Sequence, residues 1–513
     1  MNNVIRFIFY DQLSQEISSL KNLDKTFDNI VFIETKDQFM DVSHHKKKIA
    51  FIISSMRHFA IELSNHGYKV IYLKMDDESN SQNLLTELDK IINNISCKNI
   101  ILTKPNNYNL SEKINIFLSE LKTPSEIRED NRFLTSEKEF QKWAINKKQL
   151  RMEYFYREVR KKYNILMDKD GKPEGGVWNF DTENREPPLK QMKFPKRISF
   201  KKDEITISVL NLVKTKFSSN FGTIDNFYFS VTREQALIEA KHFINNILPL
   251  FGKHQDAMLT GEAYLYHSLL SSYLNIGLLL PLELCQMAEN SYKANNSPIN
   301  SVEGFIRQIS GWREFIRGIY WHFMPNYKQS NFLNSNNKLP SFYWNGQTKM
   351  SCIKEVVSQT NEHAYSHHIQ RLMITGNFGL IAEINPQELS QWYLAVYADA
   401  HEWVETPNTL GMALYADGGV VASKPYAASG KYINKMSNFC KNCYYNQNEV
   451  FEEKSCPFNS LYWNFIDKNR HNFQANQRMK FIYSVWDKFD SEKKTKIKSR
   501  AEYLLNQMKN DIL

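Results

Sequence analysis

Six cysteines in 513 residues are too few for a disulfide scaffold. No apolar run approaches the roughly 18–20 residues that span a bilayer. The N-terminus enters a strand-like run with no basic leader segment or small-residue cleavage site, so no signal peptide is expected. These absences point to a cytoplasmic protein in a reducing compartment. No G-x-G-x-x-G marks a dinucleotide site, no H-E-x-x-H marks a metalloprotease, and no repeat of 20–50 residues is evident.

What is present is aromatic and basic. Phe, Tyr and Trp make up 13% of the chain, and the formal charge is +9. That charge is compatible with a polyanionic partner, and equally with a basic soluble enzyme. The length suffices for two or three domains.

Up to about residue 125, short apolar runs alternate with amphipathic segments. Residues 4–10, 30–33, 48–53, 70–73 and 99–102 read as strands, and residues 57–66 and 84–95 as helices. This alternation predicts a parallel sheet covered by helices, with ligands beyond the carboxyl ends of its strands, near residues 10–12 and Glu34. Beyond about residue 230 the chain reads as helical, over 234–248, 261–276, 282–295, 302–320, 361–374, 386–400 and 491–508. The expected fold class is therefore an α/β domain (1–130), a linker (131–230) and a large all-α domain (231–513).

The linker interleaves Lys147, Lys148, Arg151, Arg157, Arg160, Lys161 and Lys162 with tyrosines and a phenylalanine. A turn-rich stretch (171–188) and Lys190, Lys193, Lys196 and Arg197 follow. A solvated helix face explains this pattern; so does a surface that contacts nucleic-acid backbone.

Chemistry is concentrated between residues 352 and 456. Cys440-x-x-Cys443 and Cys456-Pro457 put three thiols within 17 residues, and Cys352 could complete a tetrahedral set. Thiolates select zinc or an iron–sulfur cluster; the missing second C-x-x-C and the Cys-Pro ending lean towards iron–sulfur. Cys97 and Cys285 read as core thiols. On a continuous helix His363, His367 and Arg371 would share a face, with His368 turned about 100° away. An adjacent histidine pair near an arginine suits a proton donor beside an anion or cofactor. Residues 389–408 carry Trp392, Tyr393, Asp399, Glu405 and Asn408; the acids need buried partners if they face inward. His267, Ser268 and Ser271 sit at a candidate helix start able to hold a pyrophosphate.

Together, G-W-R-E-F (311–315), H-S-L-L-S (267–271), H-A-Y-S-H-H-I-Q-R-L-M (363–373), Y-A-D-A-H-E-W-V-E-T-P-N-T-L-G-M (397–412) and the four cysteines resemble the photolyase/cryptochrome superfamily. The match is to its bacterial iron–sulfur (6-4) branch, and it runs nearly end to end, including D-Q-L (11–13) and H-H-K-K-K-I-A-F (44–51). The resemblance implies a Rossmann-like antenna domain and a helical domain holding U-shaped FAD. His267, Ser268, Leu269, Leu270, Ser271, Gln308, Arg371, Asp399, Glu405 and Asn408 would contact the flavin, with Arg371 paired to Asp399 and Glu405 facing N5. His367 and His368 would meet the lesion, one as proton donor, and Trp344, Trp392 and Tyr393 would relay electrons. Cys352, Cys440, Cys443 and Cys456 would hold a 4Fe-4S cluster. A 6,7-dimethyl-8-ribityllumazine antenna would sit in the α/β domain, contacting Asp11, Glu34 and Ile52.

The implied activity is light-dependent repair of (6-4) photoproducts in UV-damaged DNA, by a monomer. Lys148, Asp181 and Arg185 would contact the DNA, Asp181 with Mg2+ near the phosphates. The alternatives are a blue-light photoreceptor of the same fold, a cyclobutane-dimer photolyase, or a nucleic-acid-binding iron–sulfur module without flavin.

Overall fold

The computed structural model describes residues 3–189 and 192–513; Lys190, one of the linker's basic residues, lies outside them. Five strands, β1 (Val4–Phe7), β2 (Asp28–Ile33), β3 (Lys69–Leu73), β4 (Asn99–Thr103) and β5 (Ser125–Arg128), form one sheet in the order β3-β2-β1-β4-β5. Every pairing is parallel. The expected α/β class thus holds, and the other described residues are helical or irregular. Ile5, Phe7, Val31, Ile33, Ile100 and Leu102 are fully buried within the sheet's core. A strand with both faces covered reads as a continuous apolar run, which is why these were legible.

Residues 48–53, expected as a strand, belong instead to the helix Lys46–Asn65. The apolar run reads like a buried strand because this helix is covered on nearly all sides. Lys47 to Arg57 are all buried. Its first turn is locked to the helical domain: His45 N–H donates to Ala395 O at 2.7 Å, and Lys48 Nζ donates to Ala400 O at 2.6 Å. The loop after β1 docks there too, Leu13 N–H donating to Ile276 O at 2.7 Å. The two domains therefore share one buried seam, and the loop around Asp399 is fixed from the α/β side.

Two other expectations fail for backbone reasons. The helix expected over 261–276 is helical only from Ser271 to Ile276. Leu265 and Leu269 before it adopt left-handed backbone, with φ of 45° and 61°. Likewise, 361–374 is not one helix: Ser351–His363 ends at Ala364, whose φ is 53°. The chain then re-enters helix at His368. His363 and His367 therefore do not share a helical face. The regular four-residue spacing of His363, His367 and Arg371 carried no geometry across the break.

Candidate flavin and lesion site

A cavity of about 730 Å³ opens into the helical domain. Three segments wound as π-helix, Arg307–Arg313, Arg371–Gly376 and Asn408–Ala413, reach its wall. The wider π turn re-aims side chains and is frequent at functional sites. Here it turns Gln308 and Trp312, Arg371 and Met373, and Asn408 and Met412 towards one space. Periodicity alone gave no sign of these segments, because each continues an α-helical pattern.

All ten residues expected at the flavin line this cavity, as do His367, His368, Tyr393, Asp181 and Arg185. At its centre Arg371 Nη2 lies 2.9 Å from Asp399 Oδ1, and Arg371 Nη1 lies 3.9 Å from Glu405 Oε2. Arg371 Nε donates to Ser366 O at 2.7 Å, and its guanidinium carbon sits 3.8 Å from the Tyr397 ring centroid. Asp399 Oδ2 accepts from Ser271 Oγ at 2.7 Å, which ties the loop before Ser271 to the acid. Asn275 holds Asp399 by its backbone carbonyl at 2.8 Å. The acids of this aromatic segment therefore do have buried partners. Burial raises the Glu405 carboxyl above the usual range, with Arg371 and a hydrogen bond from Thr409 opposing it. Asn408 Nδ2 turns back to Val404 O at 2.8 Å, and Gln308 Nε2 lies 3.3 Å from Gly304 O.

His267 and His367 stack with ring centroids 4.4 Å apart at 10°. Neither ring nitrogen of His367, nor Nε2 of His267, has a hydrogen-bond partner within the protein. Buried polar atoms left unpaired at a cavity wall are what a ligand satisfies. Burial, reinforced by neighbouring cations, depresses all three histidines: His267 to about 3, His368 to about 4, and His367 well below its usual value. His368 is exposed at the cavity, whereas His367 is buried within its wall. Sequence reading missed what fixes His367. Its N–H donates to Gln370 Oε1 at 3.1 Å, and Gln370 exchanges two 3.0 Å hydrogen bonds with Gln359.

Trp392 and Tyr393 are buried with ring centroids 5.3 Å apart, Tyr393 at the cavity. Trp392 packs edge-on against Tyr343 at 5.1 Å and donates from Nε1 to Tyr343 O at 2.9 Å. Trp344, 40% exposed, adjoins Tyr343 and packs on Phe221 at 5.8 Å. The aromatic path outward thus includes Tyr343, absent from the sequence reading.

The four cysteines converge from Ser351–His363, the turn Phe439–Asn442 with the residue after it, and the start of Pro457–Lys468. None is disulfide-bonded. They lie close enough that Cys456, Cys440 and Cys443 add to burial in pushing the Cys352 thiol up. A side chain on Gly430 would meet Cys456 Sγ at 2.9 Å, so the backbone itself crowds the thiols. Among the described residues no three His, Cys, Asp or Glu side chains are arranged to chelate one ion.

Comparison with known proteins decides the family. A (6-4) photolyase of Agrobacterium fabrum is 46% identical over 501 residues, covering 98% of this chain and 99% of that protein. The chain belongs to the (6-4) photolyase family. The model of the family described as deoxyribodipyrimidine photo-lyase-related protein matches residues 6–229. An uncharacterized protein of Acanthamoeba polyphaga mimivirus, R855, is 35% identical over 136 residues, 26% of this chain and all of that one. Among solved structures, a class III photolyase from Agrobacterium tumefaciens superposes with a TM-score of 0.58 at 12% identity, over 95% of this chain and 98% of its own. A Synechocystis cryptochrome gives the same TM-score and identity over 98% of both chains. These two establish the shared fold. In this chain the 730 Å³ cavity, the Arg371–Asp399 pair and the unpartnered imidazoles suit FAD.

A second cavity, of about 450 Å³, lies at the seam between the domains, lined by Tyr10, Asp41, Asn107, Lys113, Lys328 and Glu402 among others. Of the residues expected at an antenna, Asp11 faces Arg132 at 3.4 Å, Glu34 is clamped by Arg57 at 2.7 and 2.9 Å, and Ile52 is in the core. None of the three lines this cavity. On the linker, Lys148 is exposed, but Arg160 is fully buried against the carbonyls of Ile165 and Leu166, and Arg197 is half-buried, paired to Glu239 at 3.3 Å. The expected basic surface is smaller by these two. Asp181 is bound by Arg307 and lies 3.5 Å from Arg185.

Among the described residues no helix is long and apolar enough to cross a membrane.

Proposed function

We propose that this chain is a light-dependent lyase that reverses (6-4) pyrimidine–pyrimidone adducts in UV-damaged DNA. The observation that carries the reading is the pair His367–His368 at the wall of the cavity that also holds Arg371, Asp399 and Glu405, in a chain of this family. FAD, when bound, supplies light-driven electron transfer, the step no side chain can perform.

The chain's residues do the rest. Arg371, held from three sides, presents a fixed cation to the flavin ring, and burial holds the Glu405 carboxyl beside it above the usual carboxylate range. Tyr393 and Trp392, continued by Tyr343 and Trp344, offer an outward path for electrons. His267 and His367, stacked, cannot both carry charge. The proton then falls to His368, which faces the cavity and is the less depressed of the lesion pair. Entry of a phosphodiester would raise its pKa towards the charged form, so the donor is armed by substrate. Such an adduct needs a group transferred between bases as well as a bond broken, which is why a proton donor is required.

Around this centre, Cys352, Cys440, Cys443 and Cys456 hold a 4Fe-4S cluster, supported by their convergence without disulfides. The 450 Å³ seam cavity takes the ribityllumazine antenna through Tyr10 and its neighbours. Lys148 and the exposed lysines near it contact duplex backbone; Mg2+ at Asp181 would need phosphate oxygens as its other ligands. The enzyme works as a monomer in the cytoplasm.

The test is His368→Ala in flavin-loaded protein. Repair of a (6-4) oligonucleotide under light should be abolished with flavin content unchanged, and undiminished repair would remove the donor assignment.

A further inference from the structure

The helix Ser351–His363 carries Cys352 in its first turn, and its last turn leads into His367 and His368. At 1.5 Å per residue it is roughly 20 Å long, so whatever holds the cysteine end does not hold the far end. The last carbonyls of a helix have no partner within it. Here they are taken from other parts of the molecule. Asn361 O accepts from His45 Nε2 at 2.9 Å and from Thr223 N–H at 3.0 Å, and Glu362 O accepts from the Lys47 ammonium. His363 O accepts from the Tyr228 hydroxyl at 2.6 Å, and Ala364 O from Ala398 N–H at 2.9 Å. His45 and Lys47 open the α/β-domain helix Lys46–Asn65, and Tyr228 precedes the helix Arg233–Asn246. Lys47 N–H donates to His45 Nδ1 at 3.0 Å, which leaves Nε2 as the donating end of a neutral ring. Lys47 is fully buried, and a cation at a helix C-terminus meets the negative end of the dipole. Burial depresses its ammonium to about 8, which leaves it charged at neutral pH.

The turn beyond the helix depends on this end. Ala364 is left-handed, with φ of 53°, a conformation that costs a residue with a Cβ and persists where its neighbours over-determine it. The last helical turn also grips the histidine turn directly. Thr360 Oγ1 lies 2.8 Å from Ser366 Oγ, and Gln359 exchanges hydrogen bonds with Gln370, which holds His367 N–H. A shift of the helix end is therefore passed to His367 and His368.

We infer that His45, Lys47 and Tyr228 are positioning residues for repair: by capping the helix Ser351–His363 they fix where His367 and His368 stand against the lesion. This rests on the repair reading above, and it gives the α/β domain a part in proton transfer besides housing an antenna. None of the three lines the flavin cavity, so flavin binding and photoreduction do not call on them. Proton donation does, because it tolerates little misplacement of the donor.

The experiment uses the flavin-loaded full chain and reads three quantities: the rate of flavin photoreduction, the dark affinity for a (6-4) duplex, and the repair yield per absorbed photon. Lys47→Met should cut the yield by about tenfold, while photoreduction and affinity stay within about twofold of wild type. Tyr228→Phe removes one hydroxyl and keeps the ring on which Arg197 packs at 4.1 Å. It should cut the yield by about threefold in the same selective way, and it decides the question alone if Lys47→Met does not fold. A wild-type yield in folded Lys47→Met or in Tyr228→Phe would overturn the proposal. So would a parallel loss of photoreduction and repair in Tyr228→Phe, the mark of a contact that only stabilises the fold. Wild-type protein that photoreduces its flavin and leaves the (6-4) duplex unrepaired would instead sink the repair reading itself.

Discussion

Asp399→Ala tests the centre of the pocket most sharply, because among the described residues this acid is the nearest counterion of Arg371. The pair is 2.9 Å apart, with side chains only 16% and 13% exposed. Removing one member of a buried pair costs about 3–5 kcal/mol, since the other charge is left uncompensated. Two features reduce that figure here. The pair borders a water-accessible cavity, and Glu405 remains 3.9 Å from Arg371 as a second, weaker counterion. Ser271 also loses its acceptor, which costs about 1 kcal/mol. The net expectation is roughly 3 kcal/mol for Asp399→Ala in flavin-free protein, and roughly half that for Asp399→Asn, which keeps an acceptor for Ser271. Urea unfolding of wild type, both single variants and the double variant Arg371→Met/Asp399→Ala is the assay. The double variant should cost less than the sum of the singles by about 1–2 kcal/mol, the signature of a direct interaction. Strict additivity, or an Asp399→Ala cost below about 0.5 kcal/mol, would refute the claim that this pair holds the pocket together.

Two further outcomes follow from named groups. The flavin-free protein should lose stability as pH falls from about 6.5 towards 4, because His45, His267 and His368 are depressed to about 3, 3 and 4 and stay neutral in the folded state while the unfolded chain takes up protons. Urea midpoints across that window measure it, and a flat profile would mean these imidazoles are not desolvated. Cys443→Ala should abolish iron incorporation and lower the thermal midpoint of the helical domain; iron content equal to wild type would break the proposed ligand set.

How far the chain could be read follows from where its information is local. The sheet strands announced themselves, because buried parallel strands are continuous apolar runs bounded by turns. The helix Lys46–Asn65 deceived for the same reason: burial on almost all sides erases the 3.6-residue period and leaves a run of Ile, Phe and Ala. Breaks at Leu265, Leu269 and Ala364 were invisible, since the left-handed residue in each case is neither glycine nor asparagine. Tertiary contacts impose those turns, and they bring His267 onto His367. The pocket residues were found through joint motif resemblance, not through periodicity, and the structure gathers them around one cavity. What the motif could not convey was the set of supports: the Gln359–Gln370 exchange behind His367, Tyr343 beside Trp392, and Lys48 reaching from the α/β domain to Ala400. Each is a contact between residues far apart in the chain. Charge was the poorest guide, because Arg160 and Arg197 look like surface cations in sequence, yet the first is buried and the second is half-buried and paired to Glu239.

The most direct measurement is product analysis after illuminating reduced, flavin-loaded protein with two oligonucleotides, one carrying a (6-4) adduct and the other a cyclobutane dimer. Restored pyrimidines from the (6-4) strand alone are the expected result. Repair of the cyclobutane strand with the (6-4) strand untouched would contradict the role given to the paired histidines.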